Sequence, residues 1–183
     1  MIKDSMAKAL NKQIKEEMYS AYLYMAMSAD AGDKGLQGVA TWFMTQYHEE
    51  MFHAMRIYEF LQDRGVKVKL LQIAEPPADF KNVKEMFEGA LEHEEYITGC
   101  INDLVEQARS EKDYASENFL QWYVEEQVEE EKNVHDILDR IALMNDVEKG
   151  NGLIMLDKEL GARTVSTPTD FSVEGFSEQE DED

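Results

Sequence analysis

The sequence predicts an all-α fold: a bundle of four long helices with one long crossover between the second and third, plus a short fifth helix near the C-terminal end. Three observations carry this. Four segments repeat apolar residues in steps that alternate three and four, the spacing of one helical face. Leu, Met, Glu, Lys and Ala, all good helix formers, dominate the composition, and few runs alternate with the period of two that marks a strand. Only 3 prolines occur, and glycine is sparse through the first 145 residues. At 183 residues, 43% of them hydrophobic, the chain is long enough for one domain with a sizeable core.

The first seam runs Leu10, Ile14, Glu17, Ala21, Tyr24, Ser28. The second runs Val39, Phe43, Gln46, Glu50, His53, Ile57, Phe60. Between them "AGDKG" (Ala31 to Gly35) is a tight turn, so these helices are antiparallel neighbours. The third seam runs Val83, Phe87, Ala90, Glu94, Ile97, Ile101, Leu104. The fourth runs Leu120, Tyr123, Gln127, Glu130, Val134, Ile137, Ile141, Met144, after the break "SEKDYAS" (Ser110 to Ser116). Between the second and third helices lies "GVKVKLLQIAEPPADF", Gly65 to Phe80, with a Pro-Pro pair and no helical pattern. At ~3.3 Å per residue such a segment reaches roughly 50 Å, the length of a long helix, so the second and third helices run parallel. After Met144, "NDVEKGNG" breaks the fourth helix, and "GLIMLDKELGAR" (Gly152 to Arg163) is a short amphipathic helix. Residues 1–163 are expected to form one domain, and residues 164–183 an acidic, disordered, solubilising tail.

A formal net charge of −21 argues against nucleic acid and anionic membranes as direct partners, because both are gripped through clustered Lys and Arg. The charge fits either a well-solvated acidic surface or a protein that attracts cations. Cys100 is the single cysteine, so no intrachain disulfide forms, in keeping with a reducing compartment. The N-terminal stretch has no signal-peptide-like apolar run, and no run of ~18 apolar residues occurs anywhere. A cytoplasmic location is the expectation.

Each seam is apolar toward its ends and carries a carboxylate near its middle. Folding the first hairpin about residue 35 sets Glu17 level with His53, with Glu50 a turn away. Folding the second about residue 112 sets Glu94 level with Glu130, with Gln127 one turn off. In register, the two hairpins bring Glu17, Glu50, His53, Glu94, Gln127 and Glu130 into one central layer, with Tyr24 nearby. An unpaired buried carboxylate costs several kcal/mol, and crowding four of them costs more. No Lys or Arg occupies these seam positions, whereas two divalent cations formally neutralise four carboxylates. Carboxylate and imidazole ligands without thiolate suit iron, manganese or zinc. Glu50 and His53, three apart, share a helical face and can bind one ion, with Glu50 bridging to a second. The fourth helix lacks the matching histidine, since Asn133 follows Glu130 at that spacing. One metal position should therefore bind more weakly, which favours iron passing through over a retained cofactor.

The stretches "NKQIKEEMYSAYLY", "HEEMFHAM", "LEHEEY", "FLQWYVEEQVEEE" and "LDKELG" together resemble the non-haem ferritins of bacteria and archaea, over about residues 5 to 163. The resemblance implies a hollow shell of 24 subunits that oxidises ferrous iron with O2 or H2O2 and stores ferric mineral. It places a first iron on Glu17, Glu50 and His53, and a second on Glu50, Glu94 and Glu130 with Gln127 close by. Tyr24 matches a tyrosine that hydrogen-bonds a ligand and can donate an electron. A third iron position maps to Glu49, Glu126, Glu129 and Glu130. From the residues alone Glu49, Glu126 and Glu129 fit a solvated face equally well. The fifth helix would line a fourfold axis, and Glu117 maps near a threefold channel. Met51 follows the bridging glutamate, as a haem-ligating methionine does in bacterioferritins, but the missing second Glu-x-x-His argues against haem. Two rivals remain: a di-iron oxygenase or peroxidase acting on a small molecule, and an acidic helical scaffold whose buried glutamates are merely protonated.

Overall fold

The computed structural model describes residues 2–144 and 150–165. Five helices occur in it: α1 Asp4–Asp33, α2 Gln37–Asp63, α3 Val83–Glu111, α4 Tyr114–Ala142 and α5 Asn151–Leu160. No strand occurs among the described residues. Residues 166–183 of the expected tail 164–183, and residues 145–149 of the break after α4, lie outside the described residues.

Local chemistry sets the helix ends. At the start of α3, Asn82 accepts a hydrogen bond from the Glu85 N–H at 3.0 Å, and the Glu85 carboxylate reaches back to the Lys81 N–H. Lys112, at φ 58°, turns the chain out of α3 in the left-handed conformation that ends many helices. Asp113 then caps α4 through the Ser116 N–H and hydroxyl, at 3.3 and 2.9 Å. The same carboxylate takes both bonds of a fork from Arg64, at 3.0 and 3.1 Å, tying the end of α2 to the start of α4. α2 has no capping side chain of its own. Asp157 of α5 supplies one, accepting from the Gly38 and Val39 N–H groups at 2.8 and 2.9 Å.

Cross-helix contacts give the topology. Tyr24 and Ser20 of α1 meet Glu94 and His93 of α3, while Ser5 meets Glu111, so α1 and α3 are antiparallel. α1 and α2 are joined by a tight turn, so α2 and α3 run parallel and the connection between them traverses the bundle. It lies along α1: the Lys69 N–H donates to Asn11 and the Phe80 N–H to Asp30. The 19 helical residues from Asn11 to Asp30 rise about 28 Å, within the ~36 Å that 11 extended residues from Lys69 to Phe80 can reach.

The apolar core comes in two clusters. One gathers Met27, Phe43, Met86, Phe87 and Ile141; the other gathers Met6, Leu10, Ile57, Leu61, Ile101 and Leu120. The interruptions of the seams fall between them. Two positions depart from the simple seams. Phe60 is half-buried and stacks on Phe119 at 4.0 Å between ring centres, while Leu61 takes the core position. A straight helix drifts relative to a seven-residue repeat, so the last step is four, not three. α5 also ends at Leu160, three residues short of the expected span. Gly161 caps the helix, the Ala162 and Arg163 N–H groups close tighter turns onto Glu159 and Leu160, and Gly161 packs on Gly38, where a Cβ would lie 3.0 Å from the Gly38 Cα.

Candidate metal centre

Each of the four long helices delivers carboxylates to the layer between the two apolar clusters, because the steps of three and four that bury Leu and Phe elsewhere bury Glu there. Glu17, Glu50, His53, Glu94, Gln127 and Glu130 are all buried. Glu17, Glu50 and His53 each offer a ligand atom within 4.8 Å of the others. His53, Glu126 and Glu130 do the same. The structure thus brings together the first predicted set as a unit and joins Glu130 to it through the imidazole.

Glu94 belongs to the layer, and each of its oxygens accepts a hydrogen bond. The Tyr24 hydroxyl donates to one, and the Gln127 amide donates to the other at 3.1 Å. Gln127 also donates to the Glu94 carbonyl at 3.3 Å, so its nitrogen faces Glu94. Gln46 donates to Glu130 at 2.7 Å, and Gln13 to Glu17 at 3.0 Å. Each carboxylate of the layer except Glu50 is thus oriented by a neutral donor.

Burial dominates the electrostatics. It pushes the Glu17 carboxyl up to about 8, reinforced by the Glu94 charge and opposed by the Gln13 hydrogen bond. Glu50 and Glu130 are raised well above the usual carboxylate range by burial and then by Glu94. Glu94 is raised by burial against the Tyr24 and Gln127 hydrogen bonds. Burial, with Arg56 nearby, lowers His53 to about 3, so its imidazole is neutral and keeps a free lone pair. At 3.9 Å from Glu126 a neutral imidazole makes no ion pair. Tyr24 is pushed up by burial and by Glu94, so it remains a phenol that donates.

While Glu17 and Glu50 are ionised, two buried ligand atoms lack any hydrogen-bond partner, Glu17 Oε2 and His53 Nε2; a proton on Glu50 lets it bond Glu17 instead. Buried polar atoms are nearly always paired, and these two lie in the same layer. A divalent cation would satisfy both and would offset the crowding that raises the carboxyls. The donor set of carboxylates and one imidazole is that of a hard or borderline cation.

Glu49, Glu126 and Glu129, from the third predicted set, lie on the α2–α4 face. Glu49 is buried and accepts from Arg163 at 2.6 Å. Glu126 is half-buried and raised by burial, Glu129 and Glu49 in turn, while Glu129 itself is exposed. Met51 is half-buried on α2. Glu117, at the start of α4, accepts from Arg109 at 2.6 Å. Sequence reasoning missed Gln13 as an orienting group, although it sits one turn before Glu17 on the same face. It also missed Arg56, whose guanidinium lies 4.3 Å from the Trp122 ring beside His53, and Arg163, which approaches from beyond α5.

Comparison with known proteins speaks to the family and the fold. The ferritin-like domain family matches residues 7–144. A probable bacterial non-heme ferritin-like protein of Haemophilus influenzae is 41% identical over 161 residues, covering 88% of this chain and 96% of the relative. The bacterial non-heme ferritin of Campylobacter jejuni is 40% identical over 158 residues, covering 86% and 93%. Among solved structures, a closed form of the Archaeoglobus fulgidus ferritin obtained by site-directed mutagenesis superposes with TM-score 0.88 at 44% identity. That match covers 91% of this chain and all of the other. With its four-helix bundle and short fifth helix, this chain belongs to the ferritin family.

Proposed function

We propose that this chain stores iron, oxidising ferrous ions at the buried layer and depositing the ferric product inside a shell of 24 copies. The observation that carries the reading is the buried convergence of Glu17, Glu50 and His53, whose ligand atoms lie within 4.8 Å of one another, with His53 Nε2 left without a partner. Iron is the substrate and cargo here. Glu17, Glu50 and His53 would hold one ferrous ion; Glu50, Glu94 and Glu130 would hold a second, each Glu94 oxygen keeping a lone pair for metal beside its Tyr24 or Gln127 bond. Two ferrous ions give up one electron each, which reduces O2 to H2O2 with two protons, or H2O2 to two waters. The protons released from the raised carboxyls as metal binds are available for that reduction. Anionic ligands favour the ferric state, and the neutral donors Gln13, Gln46, Gln127 and Tyr24 hold the carboxylates in place.

A third iron position is assigned to Glu49, Glu126, Glu129 and Glu130 on the α2–α4 face. The exposed apolar side chains of α5, Ile154 and Met155, support its burial in an assembly around a fourfold axis. No helix among the described residues is long and apolar enough to cross a membrane, and a cytoplasmic site of action fits the reading. Residues 1–163 are the functional domain, with 164–183 a separate acidic tail. The unequal halves of the centre, with Asn133 where a second histidine would stand, disfavour a retained di-iron oxygenase or peroxidase.

Glu130→Ala tests the assignment. Stopped-flow oxidation of added ferrous iron is expected to slow by at least about tenfold while the shell still assembles, as removal of a shared ligand does. Unchanged oxidation rates would remove Glu130 from the centre.

A further inference from the structure

On the α2–α4 face a cation is already in place. The turn after α5 delivers Arg163 to Glu49, with Nη2 2.6 Å from Oε2. The guanidinium carbon lies 4.9 Å from the centre of the Trp42 ring, and Nη1 is buried without a hydrogen-bond partner. A groove of about 450 Å³ opens beside it, lined by Asn133, Asp136, Arg140 and Glu159 as well as Trp42 and Arg163.

A carboxylate oxygen bonded to a guanidinium is a poor metal ligand, and a fixed positive charge at that point repels an incoming dication. We propose that Arg163 is the resident counter-cation of the third position: it holds Glu49 until a divalent cation displaces it. This rests on the reading that the buried layer and its α2–α4 edge bind iron. Arg163 is a positioning residue; it sets the order of filling, the two inner positions first and the third only against competition. The displaced side chain has somewhere to go. The groove carries Asp136 and Glu159, whose present partners Lys132 and Arg140 form exposed pairs that exchange at little cost. Leaving Glu49 also takes the guanidinium off Trp42, so occupancy of the third position should be visible in the surroundings of that ring.

Zinc, redox-inert and divalent, is the probe. Calorimetric titration of metal-free, assembled wild type should show two tight ions per subunit, of unequal affinity, and a third weaker than both. In assembled Arg163→Gln the two tight ions should be unchanged, and the third should tighten at least ~tenfold, as expected when a unit charge a few ångströms away is removed. A second measurement keeps Arg163 intact. The chain has 2 tryptophans, so Trp122→Phe leaves Trp42 alone, and its emission should change over the third equivalent of zinc and not the first two. An unchanged third affinity in assembled Arg163→Gln overturns the proposal, as does Trp42 emission that ignores the third equivalent; the reading of the inner centre would then stand. Wild type without the two tight ions overturns that reading, and the proposal with it.

Discussion

Glu17 shows what the metal-free layer costs. Its folded carboxyl keeps a proton up to about 8, whereas its ordinary value is 4.5. Between those values the folded state binds more protons than the unfolded one, so stability is lost as pH rises through that window. Glu50, Glu94 and Glu130 shift in the same direction. His53 acts oppositely, with a folded value of about 3 against 6.5, and its contribution is lost as pH falls below 6.5. From 6.5 upward only the carboxyls matter. Thermal melts of chelator-treated protein should therefore fall as pH rises from about 6.5 to about 8, and zinc added at the upper end should restore the lost stability. A flat or rising midpoint without metal would show that the carboxylates have some other partner. Tyr24→Phe removes a donor from Glu94; ferrous oxidation should slow while assembly and helicity are kept, and an unchanged rate would leave the hydroxyl a packing role only. Glu17, Glu50, His53, Glu94 and Glu130 were legible in the sequence because each is a polar misfit on an apolar stripe. Gln127 was legible too, but not the direction of its amide, which depends on a donor-acceptor choice between neighbours on two helices. Arg56 and Arg163 left no such mark, since a charged residue off the seam reads as solvated surface.

At the scale of elements, α5 docks through a close approach that no side chain could share. A Cβ built on Gly38 would lie 1.6 Å from the Asp157 carbonyl oxygen, so Gly38→Ala must push α5 away. That displacement also withdraws the Asp157 cap from α2 and Arg163 from Glu49. Limited proteolysis should then cut within α5 while far-ultraviolet dichroism shows the long helices intact; undiminished protection would contradict the docking. Asp157→Ala removes the cap alone and should cost about 1 kcal/mol, read as a lower melting midpoint. The four long helices, the tight first turn and the long crossover could be read from apolar spacing, glycine and the Pro-Pro pair. The docking of α5 could not. Its close approach is to Gly38, more than a hundred residues earlier, although Gly161 in "LGAR" is itself a local signal for the end of the helix.

At the scale of the whole molecule, the two apolar clusters let the bundle tolerate a layer that would otherwise destabilise it. Each fully buried large apolar side chain contributes about 1.5–3 kcal/mol, and the clusters hold many on either side of the carboxylates. The crossover makes α2 and α3 parallel, and this is the arrangement that sets the middles of all four helices level. A net charge of −21 then falls partly inside the bundle, where it can be neutralised only by protons or cations. The central claim is that iron passes through this layer into storage. Its most direct test is aerobic loading with successive ferrous additions, followed by size analysis and iron counting on the same fraction. The account predicts a large hollow assembly that carries far more iron per subunit than three ligand positions can hold. A small oligomer that stops at two irons per subunit would contradict it.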